Sequence, residues 1–148
     1  AEFDKDVQHM NDLVKFHTRH KYAMMSYQPR KMTELGQILA NASKKTFKED
    51  RERYKQKLYD TLLDVPSVGR NINTLTHIYG YFKNELTENE KKHYFDLIEK
   101  YRDKKIPYST PLMLIQSWSN RFNQDYLINQ SILNPFPSEL LDLYDSGK

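Results

Sequence analysis

Residues 13–27, LVKFHTRHKYAMMSY, indicate the architecture of the whole chain. The larger side chains of this stretch recur every three or four residues, which is the spacing of one face of an α-helix. They are Leu13, Phe16, His17, His20 and Met24. Pro29 follows shortly afterwards and disfavours helical geometry in the residue before it. We therefore expect one long amphipathic helix that begins near Asp4 or Asp6, whose charges suit a helix N-terminus, and ends at Tyr27.

The rest of the chain repeats this helical pattern between short breaks. Further helices are expected over residues 30–41, 46–62, 71–86, 87–103, 110–120, 124–132 and 138–144. Thr46 with Glu49 and Thr87 with Glu90 have the spacing of N-terminal capping boxes. Thr110 precedes a proline, and this order is typical of an N-cap.

No stretch alternates strongly enough to predict a strand. The 148 residues therefore predict an all-α, single-domain bundle of six to eight helices. Its final segment is expected to pack through apolar side chains. These are Phe136, Leu140, Leu141 and Tyr144.

Composition excludes several classes of site. The chain has no cysteine, so it forms no disulfide, zinc–thiolate site or iron–sulfur cluster of its own. No apolar run reaches the roughly 18 residues of a membrane span, and residues 1–12 do not read as a secretory signal. We expect a cytoplasmic protein that does not enter a membrane.

Three chemical interpretations of the first helix compete. His17 and His20 could share a metal ion with His77 or His93, but HTRH lacks the glutamate of the HExxH zinc motif. A catalytic site is the second interpretation, although the sequence contains no nucleophile elbow and no phosphate-binding glycine loop. The third is an anion-binding surface. The alternative to it is that the same charges form an ordinary solvated helix face with no binding role.

Cations and tyrosines favour the anion-binding surface. The net charge is +3, and residues 44–57 carry seven basic and three acidic side chains. Lys15, Arg19, Tyr22 and Ser26 are expected on one side of the first helix, with Lys21 at its border. Cations interleaved with aromatic rings suit RNA, since cations contact phosphates and rings stack on unpaired bases.

Five blocks of sequence, in order, resemble the YbgA-like family over about residues 10–140. They are LVKFHTRHKYAMMSY (13–27), LGQILAN (35–41), NTLTHIYGYFKNELTENEK (73–91), LIEKYRDKKIPYSTPLMLI (97–115) and DYLINQSILNPFP (125–137). The resemblance implies a bacterial domain of unknown function, often fused to a desulfidase domain that removes sulfur from thiolated uracil. It also implies that this part of such a fusion binds tRNA containing 4-thiouridine, while the cysteine-rich partner performs the chemistry.

The resemblance marks polar positions and also departures. The polar positions are His17, Arg19, Lys21, Asn73, His77, Gly80, Tyr81, Lys83, Tyr101, Arg102 and Gln130. Relatives often have histidine in place of Tyr27 and Asn71, and a Lys-His pair in place of Gln116 and Ser117. We also expect Gly80 to let two helices approach closely and bring His17 near His77.

These observations lead to one hypothesis with two alternatives. The leading hypothesis is an RNA-binding module, most specifically for tRNA, without catalysis, cofactor or metal of its own and with a separate desulfidase as a further partner. The predicted nucleic-acid-binding residues are His17, Arg19, Lys21, Arg70, Asn73, His77, Tyr81, Lys83, Tyr101 and Arg102. The alternatives are an enzyme acting on a nucleobase or nucleotide through His17 and His77, and a module that docks a desulfidase or DNA-repair protein.

Overall fold

The computed structural model describes residues 2–134, which form eight helices and no strand. The helices are α1 (Glu2–Asp6), α2 (Met10–Tyr27), α3 (Pro29–Ala40), α4 (Phe47–Leu62), α5 (Val68–Tyr79), α6 (Glu88–Arg102), α7 (Ser109–Arg121) and α8 (Asp125–Ile128). The all-α prediction is confirmed. The helix expected over residues 138–144, and the four side chains expected to anchor the final segment, lie outside the described residues.

Helix α2 is the centre of the bundle, because α1, α3, α4 and α5 all pack against it. Leu13, His17 and Met24 are buried, and Phe16 and His20 are half-buried, so the predicted apolar face of the helix is confirmed. Apolar side chains spaced along this face are removed from water on several sides, which is the main stabilising contribution to a helix in a bundle.

Helices α5, α6 and α7 pack together through aromatic rings. The Tyr79 and Tyr94 rings are stacked, with centroids 4.4 Å apart, and Trp118 lies 5.8 Å from Tyr94. Phe82, just after α5, is fully buried and contacts Trp118 at 5.9 Å. Large rings bury much apolar area per residue, so they form this part of the core despite the chain's low apolar content.

The long first helix of the prediction is two helices. Val7, Gln8 and His9 separate α1 from α2. The Asp12 carboxylate accepts hydrogen bonds from the backbone N–H groups of His9 at 2.9 Å and Gln8 at 3.1 Å. These bonds satisfy amides at the start of α2, so the helix begins anew there.

One of the three predicted N-caps is wrong, and another lacks its predicted capping box. The Thr87 hydroxyl accepts from Glu90 N–H and the Glu90 carboxylate accepts from Thr87 N–H, so the α6 capping box is confirmed. Thr46 is the N-cap residue of α4 as predicted, but its hydroxyl donates to Asp50, at 2.5 Å, and no capping box forms. Thr110 lies inside α7, which begins at Ser109.

Helix α5 starts earlier and ends earlier than expected. The Ser67 hydroxyl accepts from Arg70 N–H and starts the helix at Val68. After Tyr79 the chain continues in turns, with bonds from Tyr81 N–H to Ile78 O and from Glu85 N–H to Phe82 O. Helix α8 is likewise shorter than the predicted segment, residues 124–132.

Candidate nucleic-acid interface

An open groove lies between α2 and the short helix α8. Its volume is about 610 Å³. Four residues of α2 form one wall, and residues in and after α8 form the other. The lining residues are Val14, Lys15, Thr18, Arg19, Asp125, Tyr126, Asn129 and Gln130. We refer to it as the α2–α8 groove.

Residues 130 and 131 form hydrogen bonds to the backbone of α2 on this side of the helix. The Gln130 amide donates to Thr18 O at 2.6 Å, and the Ser131 backbone N–H donates to Arg19 O at 3.0 Å. Gln130 is almost fully buried. This polar position, which the resemblance marked, therefore connects the segment after α8 to the central helix.

Three tyrosines lie beside the groove and form what we term the tyrosine cluster: Tyr22, Tyr81 and Tyr126. The Tyr22 hydroxyl donates to the Tyr81 hydroxyl at 3.1 Å, and the Tyr126 ring is 6.2 Å from both other rings. Tyr81 and Tyr126 are 38% and 37% exposed, whereas Tyr22 is only 4% exposed. Burial raises the pKa of Tyr22 and of Tyr126, so both hydroxyls are neutral at physiological pH.

Two cations border these rings. Lys21 Nζ is 5.7 Å from the centre of the Tyr22 ring, and Arg19 lines the groove beside Tyr126. Of the residues predicted on the anion-binding side of α2, Lys15 and Arg19 are exposed, whereas Tyr22 and Ser26 are buried. The Tyr22 hydroxyl donates to Tyr81, and Ser26 donates to the Thr74 hydroxyl of α5 at 3.0 Å.

The three predicted arginines have different partners. Arg19 pairs with Glu2 at 3.2 Å and Arg102 pairs with Glu99 at 3.5 Å, and all four side chains are at least half exposed. The Arg70 guanidinium donates to the backbone carbonyls of Tyr27 at 2.8 Å and Val65 at 3.3 Å. Arg70 therefore has a structural role in joining the end of α2 to the loop before α5.

The expected meeting of His17 and His77 is not found among the described contacts. The His17 Nδ1 atom is 2.8 Å from the Tyr54 hydroxyl, and a Cβ at Gly36 would lie 3.6 Å from its Nε2. His77 is exposed on α5. Within residues 2–134, a Cβ at Gly80 would meet only the carbonyls of His77 and Thr76, in its own turn of the chain. The expectation that Gly80 admits a second helix is therefore wrong.

The remaining predicted residues are spread over α5 and α6. Asn73 and His77 are exposed one turn apart on α5, and Tyr81 follows one turn later. Lys83 is exposed in the turns after α5. Tyr101 is buried, and its hydroxyl accepts from the Asn71 amide at 2.9 Å. The structure thus groups Arg19, Lys21 and Tyr81, and places Tyr101 in the interior.

A second cavity, of about 390 Å³, lies on another side of α2. Its polar lining comes from His20, Ser26, Asn71, Tyr108 and Ser131. The His20 Nδ1 atom is 2.7 Å from the Ser131 hydroxyl. Burial lowers the pKa of His20. The sequence contained a signal for His20, which shares the helix face of His17, but none that links it to a serine more than a hundred residues later.

The basic run of residues 44–57 is largely paired with acids. Lys55 and Arg51 both contact Asp4, at 2.7 and 3.4 Å, and Lys57 pairs with Glu34. The hydrogen bond from Lys55 lowers the pKa of the Asp4 carboxyl. This run therefore fastens α1 and α3 to α4.

Neither a metal cluster nor a membrane helix is found in the described chain. Residues 2–134 contain no group of three or more His, Asp or Glu side chains placed to hold a metal ion. No helix in this range combines the length and the apolar character that crossing a membrane requires.

Comparisons with known proteins agree with the resemblance seen in the sequence. The family model described as "Protein of unknown function (DUF1722)" matches residues 21–137. The chain is 26% identical over 137 residues to "Uncharacterized protein YbgA" of Escherichia coli (strain K12), which covers 91% of this chain and 80% of that protein. No solved structure matches the chain significantly.

Proposed function

We propose that this chain, which belongs to the DUF1722 family of proteins of unknown function, is an RNA-binding module. One observation carries the proposal: the α2–α8 groove and the tyrosine cluster adjoin on the same side of the central helix. Cations and exposed aromatic rings are the two kinds of group that proteins use to hold unpaired RNA.

The cations of the groove are available to phosphate. Lys15 has no ion-pair partner within residues 2–134. Arg19 is paired with Glu2, but both side chains are half exposed, and such surface pairs contribute only about 0–1 kcal/mol. A phosphate group can therefore replace Glu2, because guanidinium binds phosphate in a bidentate way.

The rings of the cluster supply the second kind of contact. Tyr81 and Tyr126 are each more than one-third exposed, and burial raises the pKa of Tyr126, so its hydroxyl stays neutral. An exposed tyrosine ring stacks on any unpaired base, whereas bases inside a duplex are not accessible to it. The proposed target is therefore a loop or single strand within a folded RNA.

The finer proposal is that this RNA is tRNA in the cytoplasm. The resemblance to the YbgA-like family supports tRNA containing 4-thiouridine. A separate desulfidase would then remove the sulfur, since this chain has no cysteine with which to hold an iron–sulfur cluster. In this arrangement the present chain contributes the binding of RNA, and its partner contributes the reaction.

Replacing Arg19 tests the groove. Arg19→Ala is expected to weaken tRNA binding by about 1–3 kcal/mol, or roughly 5- to 150-fold in Kd, because one charge-assisted phosphate contact is lost. Fluorescence anisotropy with labelled tRNA, prepared with and without thiolation, measures this change. Tyr126→Ala is expected to weaken binding by a similar amount through lost stacking.

Arg30 provides a matched control for Arg19. It is exposed, it pairs with an acid of its own, Glu34, at 3.6 Å, and it lies outside the groove. Arg30→Ala therefore removes the same charge and one similar ion pair. If Arg19→Ala and Arg30→Ala change tRNA affinity equally, or leave it unchanged, the α2–α8 groove is not the binding site.

A further inference from the structure

Two nitrogen atoms of α2 converge on one carboxylate oxygen beside the α2–α8 groove. Glu2 Oε1 is 3.2 Å from Nη1 of the Arg19 guanidinium and 3.5 Å from His20 Nε2. Arg19 and His20 both line a further cavity of about 260 Å³. Lys15 and Arg19 line this cavity as well as the α2–α8 groove. The position of Glu2 Oε1, which we call the Arg19–His20 site, therefore adjoins the proposed RNA-binding groove.

Ser131 and Glu2 together determine which nitrogen of His20 carries the hydrogen. The Ser131 hydroxyl is 2.7 Å from His20 Nδ1, while Glu2 faces the other nitrogen, Nε2. If Nδ1 carried the hydrogen, the lone pair of Nε2 would face the carboxylate and be repelled by it. With the hydrogen on Nε2, the Ser131 hydroxyl donates to Nδ1 and the Nε2–H group donates to the anion. Burial lowers the pKa of His20, so this donor is a neutral imidazole at physiological pH.

The helix that supplies the carboxylate is firmly attached to the bundle. Phe3, the residue after Glu2, is buried, and its ring stacks on Tyr54 with centroids 5.8 Å apart. Val7, just after α1, is also buried, and its carbonyl accepts from Arg51 at 2.8 Å. The Glu2 side chain, in contrast, is about half exposed. It can therefore leave the site by rotation while α1 stays in place, and it remains close enough to return.

A phosphate group suits these two donors better than the Glu2 carboxylate does. One oxygen of Glu2 is shared between Arg19 and His20, and both distances exceed the roughly 2.7–2.9 Å of strong charge-assisted hydrogen bonds. A backbone phosphate has two unesterified oxygens, so each donor can bind an oxygen of its own. The planar guanidinium is also well matched to phosphate. A phosphate at this position therefore gains bonds that the carboxylate forms only weakly.

The other charges around the site are one lysine and two acids. Lys15 is exposed and has no ion-pair partner within residues 2–134. Asp6 and Asp12 line the same cavity, but within that range neither pairs with Arg19 or His20. Lys15 and Arg19 balance the charges of these two acids. An anion is therefore held by the directed hydrogen bonds of Arg19 and His20, and not by an excess of positive charge.

We propose that the Arg19–His20 site takes a phosphate group of the RNA backbone, and that Glu2 is a built-in competitor which this phosphate displaces. The inference rests on the proposed function and extends it in two ways. It adds His20 to the RNA-binding residues as a neutral N–H donor, with Ser131 as its positioning residue. It also makes RNA binding weaker than the groove alone would allow, because the Glu2 carboxylate occupies the site whenever RNA is absent.

Glu2→Gln in the full chain tests the competition. The change keeps the size of the side chain and removes its charge, so tRNA affinity is expected to rise by a factor of about two to five. Glu34→Gln is the matched control, because Glu34 also contacts two basic side chains, Arg30 at 3.6 Å and Lys57. Glu34 lines neither the α2–α8 groove nor the 260 Å³ cavity, so its replacement is expected to leave the affinity unchanged. Fluorescence anisotropy at one fixed salt concentration measures both variants.

A double variant and NMR separate direct competition from effects on folding. The gain from Glu2→Gln is expected to disappear when Arg19→Ala is already present, since the phosphate has then lost its charged donor. Imidazole ¹⁵N NMR reports on His20 itself: Nε2 is expected to carry the hydrogen in the free chain, and its signal is expected to shift when tRNA is added. Ser131→Ala is expected to reduce the share of the Nε2–H form and to weaken tRNA binding roughly two- to tenfold.

Three results would overturn this inference while leaving RNA binding by the groove intact. They are equal gains in Glu2→Gln and Glu34→Gln, an unchanged affinity in Glu2→Gln, and a His20 Nε2 signal that tRNA does not move. Pyrophosphate serves as a probe without RNA. If the chain binds no RNA, but pyrophosphate binds Glu2→Gln and shifts the His20 signal, the proposed function is rejected and the anion site is supported. Failure of both tRNA and pyrophosphate to bind rejects both.

Discussion

The fold changes the protonation chemistry of His17. It lies in the core beside Gly36 and is hydrogen-bonded to the Tyr54 hydroxyl. Burial, with a smaller contribution from Lys21, lowers its pKa from 6.5 to about 4. A neutral imidazole at this site braces α2 against α4 from within the core.

This pKa predicts how stability depends on pH. In the unfolded chain His17 binds a proton below about pH 6.5, while in the folded chain it does so only below about pH 4. The unfolded state therefore holds more protons between these values, and the free energy of unfolding falls as the pH falls through this window. The contribution of His17 is up to about 3 kcal/mol, present in full above pH 6.5.

Urea unfolding from pH 7 to pH 4 measures this dependence. His17→Gln is expected to flatten the profile, because glutamine does not titrate. His77→Gln, a change at an exposed histidine of α5, is expected to leave the profile as it is. A His17→Gln profile that parallels the parent over the whole range would show that His17 titrates normally in the folded chain.

At the residue scale, the sequence predicts which side chains are buried, but it does not predict which side chains they contact. The inward faces of Leu13 and Met24 follow from helical spacing, since spacing alone sets which side of a helix points inward. Spacing does not reveal which polar residue of another segment lies opposite a given side chain. Tyr22 was therefore expected at the surface, although its hydroxyl is hydrogen-bonded to Tyr81. Asn71, Tyr108 and Ser131 are far apart in the sequence, and only the fold brings them to one cavity.

At the scale of the helices, sequence spacing predicted a capping box correctly where each of the two residues bonds to the backbone of the other. Thr87 and Glu90 bond to each other's backbone, and this box starts α6 as expected. Thr46 and Glu49 have the same spacing but form no capping box, because the Asp50 carboxylate accepts hydrogen bonds from the Thr46 hydroxyl and from the Ser43 N–H. A nearby carboxylate that offers two bonds outcompetes a motif that fits by spacing alone.

Mutation can distinguish Thr87, which caps α6, from Thr110, which was predicted to cap α7 but lies inside it. Thr87→Ala is expected to lower the free energy of unfolding by about 1 kcal/mol, because an N-terminal amide of α6 loses its acceptor. Thr110→Ala is expected to change it by less than about 0.5 kcal/mol, since Thr110 lies inside α7 and does not cap it. Chemical denaturation of both variants provides the measurement, and equal losses would contradict this assignment of the caps.

At the scale of the whole molecule, the distribution of charge was only partly predictable. The net charge of +3 and the basic run suggested a positive field over one side of the chain. In the fold that run is bound to Asp4 and Glu34, so its charge serves the contacts among α1, α3 and α4. The cations left for a ligand are fewer, and Lys15 and Arg19 are those that line the groove beside exposed rings.

RNA binding through this groove predicts a definite salt dependence. Each phosphate contact releases counterions, so the logarithm of the association constant falls with the logarithm of salt concentration by about 0.7 per contact for single strands. Arg19→Ala is expected to make the slope of this plot shallower by about 0.7. Tyr126→Ala is expected to weaken binding but to leave the slope unchanged. Anisotropy titrations at several salt concentrations measure both slopes, and an unaltered slope in Arg19→Ala would exclude a phosphate contact there.

The bonds from residues 130 and 131 to α2 span sequence separations of more than a hundred residues. Because translation proceeds from the N-terminus, α2 emerges from the ribosome long before these residues do. Until then the backbone carbonyls of Thr18 and Arg19 lack these hydrogen-bond donors. A nascent chain can therefore form the α2–α3–α4 contacts early, but the α2–α8 groove is complete only when nearly all of the described chain has been made.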